Sequence, residues 1–234
     1  MVFNSLHFIL FFAVVYTAYR LLPFRSQNWL LLGASYYFYA AWSWRFLGLL
    51  IGSTIVDFFC ARFIAAREDP RKRRAALIVS LGFNLSVLGF FKYFNFFAEN
   101  AQALFSALGW RLDWFSLHVI LPIGISFYTF MTMSYVIDVY RRHIEPCPSF
   151  RDFALFVAYF PHLVAGPILR ASVLIPQLGR PRAVTEEQLR DGAWLIAWGM
   201  FKKIVVADNL AHVVDAAFGP GGARATGPEV LLAI

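Results

Sequence analysis

His162 stands between Pro161 and Pro167 in the run YFPHLVAGPILR. An imidazole set among chain breaks can be presented to a cavity, and near neutral pH it can serve as a general base. No carboxylate lies near it in the sequence, so a hydrogen-bonded structural histidine is the simpler reading. A second set of polar residues recurs at helical spacing: Gly124, Tyr128, Thr132, Tyr135, Asp138 and Arg142 share one helix face. Such a face either bonds to neighbouring helices, at about 1 kcal/mol or less per contact, or lines a polar passage through a bilayer. The candidates for lining that passage are Tyr128, Thr132, Tyr135, Asp138 and His162. Asp57 sits inside an apolar block, where a charge is costly, and it is expected to pair with a Lys or Arg of a neighbouring helix. Lys202 and Lys203, followed by Asp208, suit either ion pairing or contact with a substrate phosphate. His7, His118, His143 and His212 carry weaker signals. There is no Walker loop, dinucleotide fingerprint, HExxH or nucleophile elbow. Cys60 and Cys147 match no metal or redox spacing and read as reduced thiols, so no metal site is expected.

The elements that must position these residues follow from composition. The chain has 234 residues, 59% hydrophobic and only 15% charged. An average soluble domain is roughly 45–50% apolar and about 25% charged. The apolar residues come in blocks, several of which reach the roughly 20 residues that cross a bilayer. A transmembrane barrel would alternate in segments of about 10 residues, and Leu6 to Val15 does not. The fold class is therefore all-α, a polytopic helical membrane protein. Spans are expected at residues 2–22, 29–44, 46–66, 75–98 and 117–140. The first lacks a basic leader region and a small-residue cleavage site, and is expected to be retained. The run REDPRKRR, with Pro70, ends the third. ENAQALFSALGWRLDW reads as a polar link between the fourth and fifth.

The net charge of +7 does not point to nucleic acid, because the basic residues sit in the gaps between apolar blocks rather than on one solvated face. Lys and Arg concentrate after the first, third and fifth spans: Arg20 and Arg25, then Arg62 to Arg74, then Arg141, Arg142 and Arg151. These exits are read as cytoplasmic, which puts the N-terminus outside.

Beyond Tyr140, Ser149 and Asp152 resemble a capping pair that opens FALFVAYFPHLVAGPIL. Pro161, Gly166 and Pro167 interrupt this run before it can cross a bilayer, which predicts a broken or re-entrant helix. Such backbone is tolerated at membrane depth only where protein or a watery cavity receives its unpaired groups. Thr185 and Gln188 form a second capping box, with Glu186 and Arg190 placed to pair, before a helix running to Phe218. In all, about six to seven membrane-embedded segments are expected. GPEVLLAI looks like the start of a further helix.

Six segments in order, MVFNSLHFILFF, LLLGASYYFYAAW, FKYFNFF, LPIGISFYTFMTMSYVIDVYR, YFPHLVAGPILR and GMFKKIVVADNLA, resemble the membrane-bound O-acyltransferase family. The similarity is greatest to the bacterial branch that holds alginate O-acetyltransferase and the related D-alanyl transfer protein. The resemblance implies a many-helix bacterial inner-membrane enzyme that acylates an exported polysaccharide such as alginate. Its donor would be acetyl-CoA, reached from the cytoplasm, with no tightly bound cofactor. Its partners would be the bilayer, the acyl donor and a polysaccharide or periplasmic acyl-accepting protein. The family's histidine lies in a Trp-His-Gly-like motif of its C-terminal half, and none of this chain's histidines has that context. His162 falls in the FPxLxxGP element, so the catalytic role does not transfer to it. By resemblance, residues 1–234 are expected to be the N-terminal part of a single transmembrane domain. The alternative is a transport or assembly subunit with the same fold and no catalysis.

Overall fold

The computed structural model describes residues 3–109, 119–163, 166–167 and 169–218. All regular structure among them is helical. Contacts divide the chain into two units, residues 12–181 and residues 2–11 together with residues 182–234. The helices are α1 (Leu6–Leu21), α2 (Phe24–Ala65), α3 (Pro70–Ala107), α4 (Ile125–Tyr140), α5 (Phe150–Ala158), α6 (Phe160–Leu163), α7 (Ala171–Leu178), α8 (Glu186–Phe201) and α9 (Asp208–Phe218), with a π-helical turn, Lys202–Ala207, joining the last two. Two of them, α2 and α3, are long and apolar enough to cross a membrane.

A straight helix of the 42 residues of α2 would be about 63 Å long, twice the hydrocarbon thickness. It is not straight. Ser43 takes an extended conformation (φ −158°, ψ 111°) inside it. The side chains show how far the chain turns there. Asn28 bonds to Asp152, and Phe58 meets Phe153, the next residue of α5, with ring centroids 5.8 Å apart. On a straight rod, residues 28 and 58 would stand about 45 Å apart. The chain therefore doubles back at Ser43, and α2 is two antiparallel limbs, residues 24–42 and 44–65. The two expected spans at 29–44 and 46–66 correspond to these limbs.

Pro70 ends nothing by itself; it starts α3. Its missing N–H and fixed φ suit a first helical turn, and the Asp69 carboxylate accepts from the Arg71 N–H at 2.9 Å to cap it. The basic run is thus the first turn of a helix rather than a loop. α3 also continues past residue 98, where a polar link was expected. Glu99, Ala101, Gln102, Ala103 and Leu104 are good helix formers, and their polarity reports exposure rather than a break. The helix stops at Leu108 and Gly109, whose φ of +80° suits glycine at a helix end. In the opposite sense, α4 begins at Ile125 and not near residue 117. Pro122 brings no N–H and Gly124 is left-handed at φ +77°, so the backbone ahead of Ile125 leaves the helix. Residues 110–118, including His118, lie outside the described residues, as does GPEVLLAI.

Cross-contacts give the order in the bundle. The second limb of α2 and α3 run antiparallel, with Phe46 against Phe91 at 5.7 Å and Asp57 against Ser80 and Asn84. α3 and α4 do the same, since Arg73 donates to the Tyr140 carbonyl at 2.6 Å and Asn95 pairs in both directions with the Val119 backbone. Arg62 donates to the Pro148 carbonyl, Arg142 pairs with Glu68, and Arg151 donates to the Arg25 carbonyl. The arginines of three separate chain segments therefore meet at one end of the bundle.

At the centre lies α5. Asp152 to Ala158 are all buried, six of them with no exposure at all, which is why this short segment reads as apolar all round. Phe153 touches Tyr135 of α4 at 4.6 Å and Phe58 of α2, while Phe160 meets Phe38 at 5.7 Å.

A network at the basic end holds α5 in place. Ser149 accepts from the Asp152 N–H at 3.3 Å and caps the helix, as its sequence position predicted. The reciprocal half of the capping box is absent, because the Asp152 carboxylate is gripped by Arg151 at 2.8 and 3.1 Å and by Asn28 at 2.8 Å. Asn28 also donates to the Leu178 carbonyl at 2.8 Å. One amide thereby ties α2, α5 and α7. Asn28→Ala removes two buried hydrogen bonds, one to a charge, and should cost about 2–3 kcal/mol of stability. Thermal unfolding of the purified variant in detergent checks this.

In the second unit, Thr185 and Gln188 make the predicted capping box with both bonds present. Arg190 turns to its neighbour Asp191 instead of Glu186. Lys203 pairs with Asp208 across the π-helical turn, where the wider winding brings residues five apart together.

Candidate functional site

The break predicted around Pro161 falls at Tyr159, whose ψ of 107° ends α5 and redirects the chain into the single turn of α6. A break inside an apolar bundle leaves backbone donors to satisfy. The Phe160 N–H is received by the Ser35 hydroxyl at 3.2 Å, and that hydroxyl in turn donates to the Leu31 carbonyl. His162 and Leu163 donate backbone N–H groups to the Tyr159 carbonyl, and Gly166 donates to the His162 carbonyl at 3.0 Å. The broken segment is a fixed structure that needs Ser35, a residue lying unremarked in the run SYYFYAAW.

Gly124 brings this segment against the start of α4, and Gly166 lets the segment fold back on itself. A Cβ on Gly124 would stand 2.5 Å from the Leu163 carbonyl oxygen, and one on Gly166 would stand 2.4 Å from the His162 Cα and Cβ. Tyr39 donates to the Ile123 carbonyl at 3.2 Å and steadies the lead into α4. Between the two elements lies a cavity of about 10 Å³, lined by Phe127, Tyr128, Met131, His162, Leu163 and Pro167. Two of the five passage candidates therefore share one small space. Tyr128 is 1% exposed and His162 7%, yet the Tyr128 hydroxyl and both His162 ring nitrogens have no hydrogen-bond partner among the described residues. The Phe156 carbonyl acts on the imidazole without hydrogen-bonding geometry, and the Tyr159 ring lies 5.6 Å from it.

The other three candidates are placed differently. Thr132 and Tyr135 share the buried face of α4 with Tyr128, but protein groups take up their polar atoms. Thr132 donates to the Thr129 carbonyl, and the Tyr135 phenol accepts from the Cys147 N–H at 2.9 Å. Asp138 is partly exposed near the basic end, with His143 3.7 Å away. Arg142 ends the stripe at a left-handed φ of 62° in an exposed ion pair with Glu68.

Asp57 corrects the expectation of a cationic partner. Its carboxylate is fully buried and accepts from the Ser80 hydroxyl at 2.6 Å and from the Asn84 amide at 2.8 and 3.0 Å. Thr132 is a further neutral contact. Ser80 and Asn84 sit one turn apart on α3, so a Ser-x-x-x-Asn pair in an apolar block was the available signal for these partners. Nothing local in the sequence says which neighbour their face meets.

At the basic end, burial pushes the Cys147 thiol up from its ordinary value. That keeps it neutral and unreactive, consistent with the expected reduced thiols; both cysteines are free. No group of His, Cys, Asp and Glu among the described residues could hold a metal ion.

Long apolar helices packed around a broken inner helix, with the arginines gathered at one end, define a helical membrane protein. Within that class the chain is similar to a probable alginate O-acetylase of Pseudomonas putida, 41% identical over 223 residues, covering 93% of this chain and 45% of the relative. It is also similar to a probable alginate O-acetylase of Azotobacter vinelandii, at 40% identity over 93% of this chain and 44% of the relative. A peptidoglycan O-acetyltransferase of Helicobacter pylori is 35% identical over 86% of this chain and 42% of its own length. The chain spans less than half the length of these curated relatives. No family model and no solved structure matches it. The resemblance carried by the six motifs thus holds across nearly the whole chain, at the level of the bacterial alginate O-acetyltransferase branch.

Proposed function

We propose that this chain serves a membrane-bound O-acyltransferase that acetylates an exported polysaccharide, alginate-like by resemblance. The observation that carries the reading is the 41% identity to an alginate O-acetylase over 93% of the chain. In this reading α1, the two limbs of α2, α3, α4, the broken α5–α6 segment and the α8–α9 helix are the six to seven membrane-embedded segments of an inner-membrane protein. The arginine-rich end faces the cytoplasm and the N-terminus lies outside. The clustering of Arg25, Arg62, Arg73, Arg142 and Arg151 at one end supports that orientation. Acetyl-CoA would deliver the acyl group from the cytoplasmic side, with no tightly bound cofactor, to a polysaccharide or a periplasmic acyl-accepting partner. The base on the acceptor hydroxyl would be a histidine in the family's Trp-His-Gly-like context, which none of this chain's five histidines has.

The direct test uses membranes of cells making the protein from its own gene. They are incubated with labelled acetyl-CoA and unacetylated polymannuronate. Alkali-labile label on the polymer, absent from membranes of the deletion strain, is the expected result. Equal label in both strains would overturn the reading. Loss of acetylation in living cells with unchanged transfer in isolated membranes would favour the non-catalytic assembly role.

A further inference from the structure

The second limb of α2 passes into α3 through a short turn, and five of the eight residues from Arg67 to Arg74 are cationic. Most arginines at this end of the bundle are bound within the protein. Arg62, Arg73 and Arg151 donate to backbone carbonyls, and Arg142 pairs with Glu68. Arg71, Lys72 and Arg74 are different: they are exposed and form no ion pair among the described residues. They crowd the start of α3, the positive end of its dipole, where cations are disfavoured and an anion is favoured. The helix does not need them there, since Pro70 and the Asp69 carboxylate already start it.

The rest of α3 indicates the kind of anion. Ser80 and Asn84 turn inward to Asp57. At roughly 100° per residue, Arg71, Ile78, Gly82 and Leu85 fall on the opposite face, with Arg74 beside Arg71 one turn on. All five are exposed, and nothing among the described residues lies within 4 Å of a Cβ built on Gly82. From Ala75 to Leu85 the helix rises about 15 Å, half of a hydrocarbon core about 30 Å thick. The outer face therefore carries guanidinium groups at headgroup depth and carbon through one leaflet. The second limb of α2 repeats this order: Ile55, Phe59 and Phe63 recur, exposed, at every fourth residue, and the Arg67 guanidinium lies over the Phe63 ring at 5.2 Å. A soluble phosphate would use only the cations, whereas an anion with a hydrocarbon tail uses the whole face. Arg71 and Arg74, three residues apart, are neighbours on the helix surface and can set two guanidinium forks on one phosphate.

We propose that Arg71 and Arg74 bind the phosphate of an anionic phospholipid in the leaflet at the basic end, with an acyl chain along Ile78, Gly82 and Leu85. Such a lipid neutralises the crowded start of α3 and fixes the depth of that helix in the bilayer. This rests on the membrane placement of the bundle and is independent of acyl transfer.

The test titrates the purified protein in detergent with phosphatidylglycerol or with phosphatidylcholine of the same acyl chains, and bound lipid is counted by native mass spectrometry. The wild-type protein should bind phosphatidylglycerol about tenfold more tightly, given the attraction that each membrane-adjacent arginine adds for an anionic lipid. Arg71→Gln combined with Arg74→Gln should abolish that preference, with the thermal midpoint in phosphatidylcholine unchanged or raised because cations leave the positive end of a helix. Arg20→Gln combined with Arg25→Gln removes the same charge from two other exposed residues and should leave the preference in place. Soluble glycerol 3-phosphate and coenzyme A should not compete. Equal binding of the two lipids by the wild-type protein would overturn the proposal, and so would an equal loss in the Arg20 and Arg25 double variant, which would show diffuse attraction only. Competition by glycerol 3-phosphate or coenzyme A would overturn it in favour of a soluble anion. Acetyl transfer is measured separately in membranes, so each of these failures leaves the proposed function standing.

Discussion

Asn84→Leu should be among the most destabilising single changes on α3, at about 3 kcal/mol or more. The Asn84 amide donates to both oxygens of the buried Asp57 carboxylate, and hydrogen bonds to a charge are worth about 1.5–3 kcal/mol each in context. Removing it leaves the Ser80 hydroxyl to satisfy a carboxylate with no exposure and no cation among the described residues. Asp57→Asn should be much milder, because the neutral amide keeps the shape and an oxygen that accepts from the same donors. The informative variant is the double change Asp57→Leu with Asn84→Leu. Replacing both partners by apolar groups removes the unmet demand, so its cost should fall well short of the sum of the two single changes. Detergent unfolding of the four proteins in a double-mutant cycle measures that coupling. A cost equal to the sum would mean that Asp57 and Asn84 act independently and that the short contacts add nothing.

Asp57 also marks where sequence reading runs out. An apolar block announced its cost, and the expected remedy was a cation. The fold supplied two neutral donors instead, because α3 is rotated to turn Ser80 and Asn84 inward. A helix that is apolar on all sides encodes its length but not its rotation, so partner identities stay hidden until helices are packed. The same holds for Asn28 and Ser35, whose partners lie more than a hundred residues away.

Features set by backbone chemistry were legible. Pro161 marked the break near Tyr159, and Ser149 and Thr185 marked two helix starts. The arginine-rich gaps foretold the basic end. The two limbs of α2 were legible as two apolar blocks, residues 29–44 and 46–66, that meet at the kink beside Ser43. The errors fell where polarity was equated with a helix end, as in residues 99–107, and where a left-handed glycine cut short an apolar run, as at Gly124. Of the polar stripe on α4, spacing revealed the face but not its divided use. Thr132 and Tyr135 bond to backbone groups, Asp138 sits near the basic end, and Tyr128 with His162 lines a small cavity.

Gly124→Ala should be the sharper probe of that cavity, costing about 3 kcal/mol or more. Two penalties combine there. An L side chain at φ +77° costs roughly 1–2 kcal/mol. The added Cβ would also stand 2.5 Å from the Leu163 carbonyl oxygen, a backbone atom that cannot rotate aside, so α4 and α6 must separate. Gly109 isolates the first penalty, having φ +80° with nothing among the described residues within 4 Å of a new Cβ. Gly109→Ala should therefore lose only about 1–2 kcal/mol, and the difference between the two variants measures the close approach of α6. On the proposed acyltransferase reading, Gly124→Ala should also depress acyl transfer in the fraction that remains folded, whereas Gly109→Ala should not. Thermal midpoints and specific activity of the two purified proteins, compared side by side, decide it. Equal losses of stability would show that α6 yields to the methyl group and that the walls of the cavity are softer than Gly124 and Gly166 imply.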